Sequence, residues 1–297
     1  MNATDRTRVP VVLLHALALH SSMWDAQHRA LTALGHPVIA PDQRGFGSAP
    51  LGDAPPSLDV VADDLARLLD DRGVDRAVIA GASMGGYTAM AFLARHPDRV
   101  AGLALLSARA TADTPEAAAQ RREFARLVRL DEARGPLVDR SSALLVGATT
   151  RAERPDVLRR VTADARAADP AALAWAQLAI AARPDSTGTL RTARVPAVVM
   201  AGEEDELVPH ADARHAADAL PHGRLITLPK AGHLPPLETP EAVTAALREL
   251  LQAVDRSDTT HATEAAERTA AAGEKAAEEN AAAGETGVTG ETEVRAC

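Results

Sequence analysis

Short apolar runs recur along the chain and alternate with longer segments in which apolar residues return every three or four positions. The runs are too short for helices and rich in Val, Leu and Ile, so they predict buried strands at residues 9–14, 37–40, 77–80, 100–106, 196–201 and 224–228. The longer segments predict helices over residues 23–34, 58–71, 87–95, 211–220 and 240–254. This alternation predicts an α/β protein with a mostly parallel sheet and helices on both faces.

Residues 108–191 break the alternation. They predict several helices rich in Ala, Arg and Glu, interrupted by prolines at Pro136, Pro155, Pro170 and Pro184. A helical block inserted between two strands of such a sheet is typical of a lid. We therefore predict a core in two parts, residues 1–107 and 192–255, with the lid between them.

The composition changes again near residue 256. Residues 256–297 hold nine acidic residues against four basic ones, and few of their apolar residues are larger than Ala. Such a segment cannot bury enough apolar surface to order itself. We predict a disordered, low-complexity acidic tail that the chemistry does not need; the alternative is a tail that binds a partner.

Composition and charge narrow the function classes. The net charge is −9, and no basic surface for nucleic acid is indicated. The single cysteine, Cys297, leaves no pair for a disulfide and no cluster for zinc. No apolar run is long enough for a membrane span, and the first residues do not fit a signal peptide. We expect a cytoplasmic protein that binds neither nucleic acid nor membranes.

Candidate chemistry begins at residues 81–85, Gly-Ala-Ser-Met-Gly, between a predicted strand and a predicted helix. They fit the pattern G-x-S-x-G, in which a sharp strand-to-helix turn raises the serine hydroxyl above the sheet. The turn packs so tightly that Gly81 and Gly85 must lack side chains. It also directs the Met84 N–H to a place where an oxyanion could be held. The alternative is a glycine-rich turn in which Ser83 has no chemical role.

A serine nucleophile requires a base, usually histidine, and the histidine requires a carboxylate. Asp205 and His233 each follow a predicted strand, so both should lie at the same edge of the sheet as Ser83. The order Ser, Asp, His is the one expected for this type of turn. Alone, each residue could equally be an ordinary loop histidine or a turn-capping acid. Three neighbouring glutamates compete for the role of the acid: Glu203, Glu204 and Glu206. We favour Asp205 because of its position in the loop.

Four blocks make residues 9–254 resemble the α/β-hydrolase superfamily: HALAL after the first strand, DQRGFGS after the second, GASMGG at the turn, and GEEDELVP with AGHLPPLETP near the end. The resemblance implies an α/β-hydrolase fold. It also implies that Ser83 is the nucleophile, His233 the base, and Asp205 the acid that orients it.

The same resemblance implies an oxyanion hole formed by the backbone N–H groups of Leu17 and Met84. It gives Asp42 and Arg44 structural roles in their loop. Two features depart from the superfamily. Ala16 stands where glycine is usual, which requires a backbone outside the positive-φ region. Only eight residues precede the first strand, so we expect that the usual N-terminal antiparallel hairpin is missing or truncated; the alternative is that the true start of the protein lies upstream.

Within the superfamily, the SSMWDAQ block and residues 181–186 are most similar to 3-oxoadipate enol-lactonase-like hydrolases and general esterases. We therefore predict a serine hydrolase that cleaves a small carboxylic ester or lactone without metal or organic cofactor. The alternatives are a carbon–carbon bond hydrolase or lyase, a perhydrolase, and a non-catalytic ligand-binding member. Perhydrolases carry Pro where Ala18 stands here.

The predicted lid should set the choice of substrate. The candidate walls of the substrate pocket are three large aromatic residues: Trp24, Phe46 and Trp175. Their alternative role is ordinary core packing.

Overall fold

The predicted strands form a single parallel sheet. A computed structural model describes residues 8–257. The strands in this part of the chain are β1 (Val11–Leu14), β2 (Val38–Ile39), β3 (Ala77–Ala82), β4 (Val100–Leu106), β5 (Ala197–Gly202) and β6 (Gly223–Leu228). Their order is β2-β1-β3-β4-β5-β6, and every neighbouring pair is parallel. All six coincide with predicted apolar runs, and within residues 8–257 no antiparallel hairpin precedes β1.

Helices cover both faces of the sheet, as the alternation predicts. Those of the core are α1 (Asp25–Ala33), α2 (Leu58–Asp71), α3 (Met84–Arg95), α10 (His210–Ala219), α11 (Pro235–Glu238) and α12 (240–257). A four-residue 3₁₀ helix, Ser21–Trp24, precedes α1. Helix α2 begins where expected because the Ser57 hydroxyl accepts a hydrogen bond from the Asp59 N–H, which satisfies one of the free donors of the first turn.

The side chains of the strands contribute alternately to two apolar layers, one on each face of the sheet, because successive side chains of a strand point to opposite faces. Val12 and Ile79 belong to the layer under α2, α3 and α10. Val11 and Val78 belong to the layer under α1 and α12. Strands β1, β3, β4 and β5 are buried along their whole length, which explains why their sequences are continuous apolar runs rather than alternating ones.

Six helices lie between β4 and β5, in the segment predicted as a lid: α4 (Pro115–Leu127), α5 (Asp131–Ala143), α6 (Ala148–Glu153), α7 (Pro155–Ala167), α8 (Pro170–Ala181) and α9 (Thr187–Thr192). We refer to residues 108–191 as the lid. Pro155 and Pro170 begin helices, where a missing N–H costs nothing. The expected interruption at Pro136 is wrong, since Pro136 lies inside α5. Pro136 is the sixth of the 13 residues of α5, and the helix continues through it although the proline lacks an N–H to donate.

Contacts divide the chain into a unit of residues 1–254 and a unit of residues 255–297. The core and the described lid both belong to the first unit. The predicted acidic tail lies outside the described residues from residue 258 onward. None of the helices within residues 8–257 is both long enough and apolar enough to cross a membrane.

Candidate active site

The turn between β3 and α3 holds Ser83 in a strained backbone conformation, with φ +52° and ψ −113°. Such values are uncommon for a residue with a side chain and persist only where the surroundings enforce them. Here the surroundings are backbone: a Cβ added to Gly81 would lie 2.1 Å from the Gly85 carbonyl oxygen, and one added to Gly85 would lie 2.2 Å from the Leu14 carbonyl oxygen. Both positions therefore require glycine, as predicted from the pattern.

The sheet register brings the ends of the strands to one edge. Strand β1 ends beside β3, where Leu14 pairs with Gly81. Strand β5 ends beside β6, where Gly202 pairs with Leu228. The loops that follow β3, β5 and β6 consequently open at the same edge, which is the edge where parallel α/β sheets bind their ligands.

Ser83, His233 and Asp205 form a continuous chain of hydrogen bonds at this edge. The Ser83 Oγ lies 2.8 Å from the His233 Nε2. The His233 Nδ1 lies 2.9 Å from Oδ2 and 3.0 Å from Oδ1 of Asp205. The side chains of His233 and Asp205 are only 4% and 1% exposed. With Nδ1–H donating to the carboxylate, Nε2 is free to accept the serine proton.

Asp205 is held in its charged form despite its burial. Burial alone would raise the pKa of its carboxyl group, but the adjacent His233 ring and the N–H groups of Val208 and Leu207 outweigh that effect and lower the pKa below its ordinary value. Those two N–H groups donate to Oδ1 at 3.0 and 2.9 Å. The loop thus orients the carboxylate that in turn orients the histidine.

The competing glutamates have other partners. Glu204 accepts hydrogen bonds from the N–H and the hydroxyl of Thr149 in the lid. Glu206 accepts one from Arg151 at 2.8 Å, and Glu203 is exposed. Of the acids in this loop, Asp205 is the one hydrogen-bonded to His233.

The two N–H groups predicted for the oxyanion hole belong to the residue after Ser83 and to a residue that lines the same cavity. Met84 is the first residue of α3, so its N–H has no partner within the helix. Leu17 lines the same cavity as Ser83, and no hydrogen bond of its N–H is found in the described part of the chain. Ala16 is not among the described non-glycine residues with positive φ, whereas Ala18 has a φ of +67°. The backbone at Ala16 is therefore outside the positive-φ region, as an alanine at this position requires.

A buried network of hydrogen bonds, which the sequence alone does not predict, holds the loop after β1 in place. His15, fully buried, accepts a hydrogen bond at Nε2 from the Gln43 N–H at 2.8 Å, and the Gln43 side chain donates to the His15 carbonyl at 2.7 Å. The Thr88 hydroxyl donates to Gln43 Oε1. Burial lowers the pKa of His15 to about 4, although a hydrogen bond to the Ala16 carbonyl partly opposes it. His15 is thus neutral and joins the β1 and β2 loops to α3.

Asp42 and Arg44 have the structural roles that the resemblance implied. Asp42 accepts hydrogen bonds from the N–H groups of Ser21 and Ser48, each at 2.8 Å. Burial would raise the pKa of Asp42, but these donors outweigh it and lower the pKa to about 2. Arg44 pairs with both oxygens of Asp64 on α2.

A cavity of about 240 Å³ opens onto the Ser83 hydroxyl and the His233 ring. Residues of the core form one side of it: Leu17, Ala18, Ser83, Tyr87, Leu207, Val208 and His233. Residues of the lid form the other side: Arg109, Arg121, Phe124, Ser141, Leu144, Leu145, Leu173 and Gln177. Polar residues of the lid side, Arg121 above all, were missed, because nothing in their local sequence distinguishes them from the many exposed arginines of these helices.

The three aromatic residues predicted as pocket walls do not line this cavity, so that prediction is wrong. Trp24 is fully buried in the apolar layer beneath α1 and α12. Phe46 packs edge-on against the His15 ring. Trp175 is buried on α8 and donates its indole N–H to the Ala54 carbonyl. Large aromatic side chains bury the most apolar area, and in this aromatic-poor chain they serve the core.

Two loops of the candidate site are fastened to the lid. The buried carboxylate of Glu238 accepts hydrogen bonds from the Gly147 N–H of the lid at 2.7 Å and from the Leu234 N–H, next to His233, at 3.0 Å. Glu204, next to Asp205, binds Thr149 of the lid. Within residues 8–257, no group of three or more His, Cys, Asp or Glu side chains is arranged to hold a metal ion.

Comparison with known proteins places this chain among hydrolases. The family model described as alpha/beta hydrolase fold matches residues 9–240. The pimeloyl (acyl-carrier protein) methyl ester esterase of Neisseria meningitidis serogroup C is 32% identical over 251 residues, which cover 82% of this chain and 94% of that relative.

Two solved structures are similar over most of the chain. A thermophilic esterase from Thermogutta terrifontis, determined with malate bound, has a TM-score of 0.80 and 38% identity, and covers 84% of this chain and 91% of its own. The enol-lactonase of Burkholderia xenovorans LB400 has a TM-score of 0.76 and 28% identity, and the match covers 84% of this chain and 94% of the enol-lactonase.

Proposed function

The chain belongs to the alpha/beta hydrolase fold family and is a hydrolase that acts on ester bonds, and we propose that it cleaves a small carboxylic ester or lactone through an acyl-enzyme on Ser83. The observation that carries the proposal is the buried chain of hydrogen bonds from Ser83 through His233 to Asp205, at the wall of a cavity. Nucleophile, base and orienting acid are in mutual reach without rearrangement.

In the first half of the proposed reaction, the Ser83 oxygen attacks the carbonyl carbon while its proton passes to the His233 Nε2. The carbonyl oxygen becomes an oxyanion, held by the N–H groups of Leu17 and Met84. The intermediate collapses to the acyl-enzyme, and the departing alkoxide takes the proton from His233. Asp205 stabilises the imidazolium formed in between and keeps the ring in the required tautomer.

In the second half, a water molecule gives its proton to His233 and attacks the acyl carbon. A second oxyanion forms in the same place and collapses, which releases the carboxylic acid and returns the proton to Ser83. In a lactone, alcohol and acid remain parts of one molecule. The strained backbone of Ser83 and the fixed loops suit this chemistry, because preorganised donors need not reorient as charge develops.

The conformation of position 18 argues against the perhydrolase alternative. That alternative rests on a proline in the loop after β1, where this chain has Ala18. The φ of Ala18 is +67°, whereas the proline ring restricts φ to about −65°. This loop therefore differs in backbone conformation, and not only in side chain, from one built around proline.

Hydrolysis of p-nitrophenyl esters of graded acyl length tests the proposal, with wild type beside Ser83→Ala. The variant should lose on the order of 10⁴-fold or more in kcat, since removal of the nucleophile leaves only binding and the oxyanion hole. Ser142→Ala is the matched control. The Ser142 hydroxyl is buried but bonds to the Val138 carbonyl of its own helix, so this variant should retain wild-type activity.

Retention of wild-type esterase activity by Ser83→Ala would refute the mechanism. A fluorophosphonate probe separates the non-catalytic alternative, since it should label Ser83 in the wild type and label nothing at that position in Ser83→Ala. A lactone substrate followed spectroscopically then distinguishes ring opening from the cleavage of open-chain esters. If neither lactones nor open-chain esters are cleaved, the cleavage of a carbon–carbon bond remains as the alternative.

A further inference from the structure

The cavity above Ser83 carries a positive charge that ester hydrolysis does not require. Its lining includes Arg109 and Arg121, and none of its described lining residues is Asp or Glu. We propose that Arg121, assisted by Arg109, forms a carboxylate subsite, so that the preferred substrate is an ester or lactone that bears a carboxylate. This inference rests on the proposed function and adds the substrate class to it.

Arg121 reaches the cavity from α4 in a fixed orientation. Its Nε donates to Asp113 Oδ2 at 2.6 Å, and its Nη1 donates to Gln177 Oε1 of α8 at 2.9 Å. No hydrogen bond from its Nη2 is found in the described part of the chain. The side chain is 27% exposed and lines the cavity, so part of its donor fork is available to a ligand while the rest is anchored.

Asp113 does not cancel this charge. Its side chain is 1% exposed and also lies 2.8 Å from the Nη1 of Arg183, which is itself 4% exposed. One carboxylate therefore faces two guanidinium groups, and the cluster of Asp113, Arg121 and Arg183 has a net charge of +1. Arg183 is not expected to bind the substrate carboxylate, because its guanidinium group stacks over the Tyr87 ring at 4.1 Å and donates to the Thr111 carbonyl.

Arg109 contributes less free charge, because it has an acidic neighbour. Its Nη2 donates to the Leu207 carbonyl at 2.7 Å, and its Nε lies 3.5 Å from Asp212 Oδ2. The Nε is buried without a hydrogen bond of good geometry. Arg109 is therefore a secondary group, and Arg121 is the principal one.

The rest of the lining strengthens the case. Most of it is apolar, including Phe124, Leu144 and Leu173, and a low-polarity wall increases the attraction between a guanidinium group and an anion. The planar donor fork of arginine suits a carboxylate in particular. A neutral ester would leave the net charge of +1 on the Asp113, Arg121 and Arg183 cluster uncompensated, whereas a substrate carboxylate would compensate it.

The test compares esters that differ only in charge. The first pair is the p-nitrophenyl monoester of glutaric acid and the neutral ester in which an isopropyl group replaces its free carboxylate. The second pair is an acetylated hydroxybenzoate and the corresponding acetylated isopropylphenol, which place the charge on the alcohol side instead. In wild type, kcat/KM should be at least about 10-fold higher for the anionic member of one pair, and the pair that responds tells which side of the ester carries the charge.

Arg121→Gln should reduce this anionic-to-neutral ratio about 10- to 100-fold, the range for a hydrogen bond to a charged group. Arg121→Lys should restore part of it. Arg122→Gln, an exposed arginine on the same helix, is the matched control and should keep the wild-type ratio. If loss of the Asp113 pairing unfolds Arg121→Gln, Arg109→Gln gives a second measurement, with a smaller fall in the ratio expected.

A binding measurement separates this proposal from the proposed mechanism. Ser83→Ala cannot form the acyl-enzyme, so calorimetry can compare its affinity for monomethyl glutarate and for dimethyl glutarate. Tighter binding of the monoester, abolished by Arg121→Gln in that background, supports the subsite even if no substrate has been found. Equal binding, or a wild-type ratio near one in both pairs with Ser83-dependent turnover intact, would overturn the subsite and leave the mechanism standing.

Discussion

The two sides of the cavity differ in how their functional groups are positioned. On the core side, Ser83, Asp205 and His233 each follow a strand, and the strand ends fix where each loop starts. On the lid side, the donors of Arg121 are oriented by long-range contacts, such as the one with Gln177 on α8. The groups proposed to react are thus placed by backbone geometry, and the groups proposed to select the substrate are placed by packing between helices.

This difference assigns separate tasks to the two regions. Glycines in close backbone contact and a parallel register leave the core side little room to vary without loss of the reaction. Side-chain pairs of the lid, such as Arg121 with Gln177, can be changed by a single substitution on α4 or α8 without a change in the register of the sheet. We infer that the core side determines which bond is cleaved and that the lid side determines which molecules are admitted.

The largest expected effect tests the core side. Asp205→Asn should lower kcat about 10⁴-fold, because an amide in place of the carboxylate favours the wrong tautomer of His233 and no longer stabilises the imidazolium. The neighbouring Glu204→Gln should lower kcat by less than about tenfold, because it weakens only a hydrogen bond to the lid. Steady-state kinetics at saturating ester concentration measures both variants.

Comparable losses in the two variants would contradict the assignment of Asp205 and would mean that the whole loop acts as a unit. A loss confined to Glu204→Gln would transfer the role of the acid. Either result would also remove the contrast between the two sides, since Glu204 contacts the lid and Asp205 contacts the histidine.

The contrast explains which features the sequence predicts. Four strands are predictable because strands buried on both faces must be apolar throughout: β1, β3, β4 and β5. The partly exposed β2 and β6 are predictable from short runs of apolar and β-branched residues. Helix α2 is predictable to its ends because Ser57 caps it and its apolar face has a clear period. The turn at Ser83 follows from the G-x-S-x-G pattern of residues 81–85, although the close contact between Gly85 and the Leu14 carbonyl is seen only in the fold.

The remaining features depend on contacts that no local pattern encodes. The sequence does not distinguish an aromatic residue of the core from one that lines a pocket. The packing is needed to assign three of them to the core: Trp24, Phe46 and Trp175. His15 has no visible partner in sequence, because Gln43 and Thr88 reach it from other elements. Arg121 is one of three arginines on α4, and only the fold shows which of them faces Ser83.

The next largest effect tests the lid side. Asp113→Ala should lower the free energy of unfolding by about 3–5 kcal/mol at neutral pH, since it leaves the buried Arg183 without its counter-charge. Asp139→Ala is the matched control in the same region. Asp139 forms a largely exposed pair with Arg166, so its removal should leave the free energy of unfolding almost unchanged. Denaturant unfolding of the three proteins measures the difference.

The effect of Asp113→Ala should also depend on pH. Burial would raise the pKa of Asp113, but Arg121 and Arg183 outweigh it and lower the pKa below its ordinary value of 3.8. The stabilisation is therefore fully present above about pH 4 and is lost as the pH falls through the lowered pKa. Wild type and Asp113→Ala should converge in strongly acidic solution. A constant difference down to that range would mean that Asp113 acts through packing rather than charge.

The smallest of the three effects returns to the core side, at His15. The imidazole of His15 is neutral in the fold, with a pKa lowered by burial from 6.5 to about 4. Its Nε2 accepts a hydrogen bond from Gln43, so protonation would place a charge in a fully buried site and break that bond. Between pH 6.5 and about 4 the unfolded chain takes up a proton that the folded protein excludes.

Wild type should consequently lose about 3 kcal/mol of unfolding free energy as the pH falls through that window. His15→Gln should be less stable at neutral pH, since the network is altered, but this contribution to its pH dependence should be absent. His28→Gln, at an exposed histidine on α1, should keep the wild-type profile. Urea unfolding from pH 7 to pH 4 distinguishes them. A flat wild-type profile in this range would mean that the loop beside Ser83 opens and protonates His15 at little cost, and the core side would then be no more rigid than the lid that faces it.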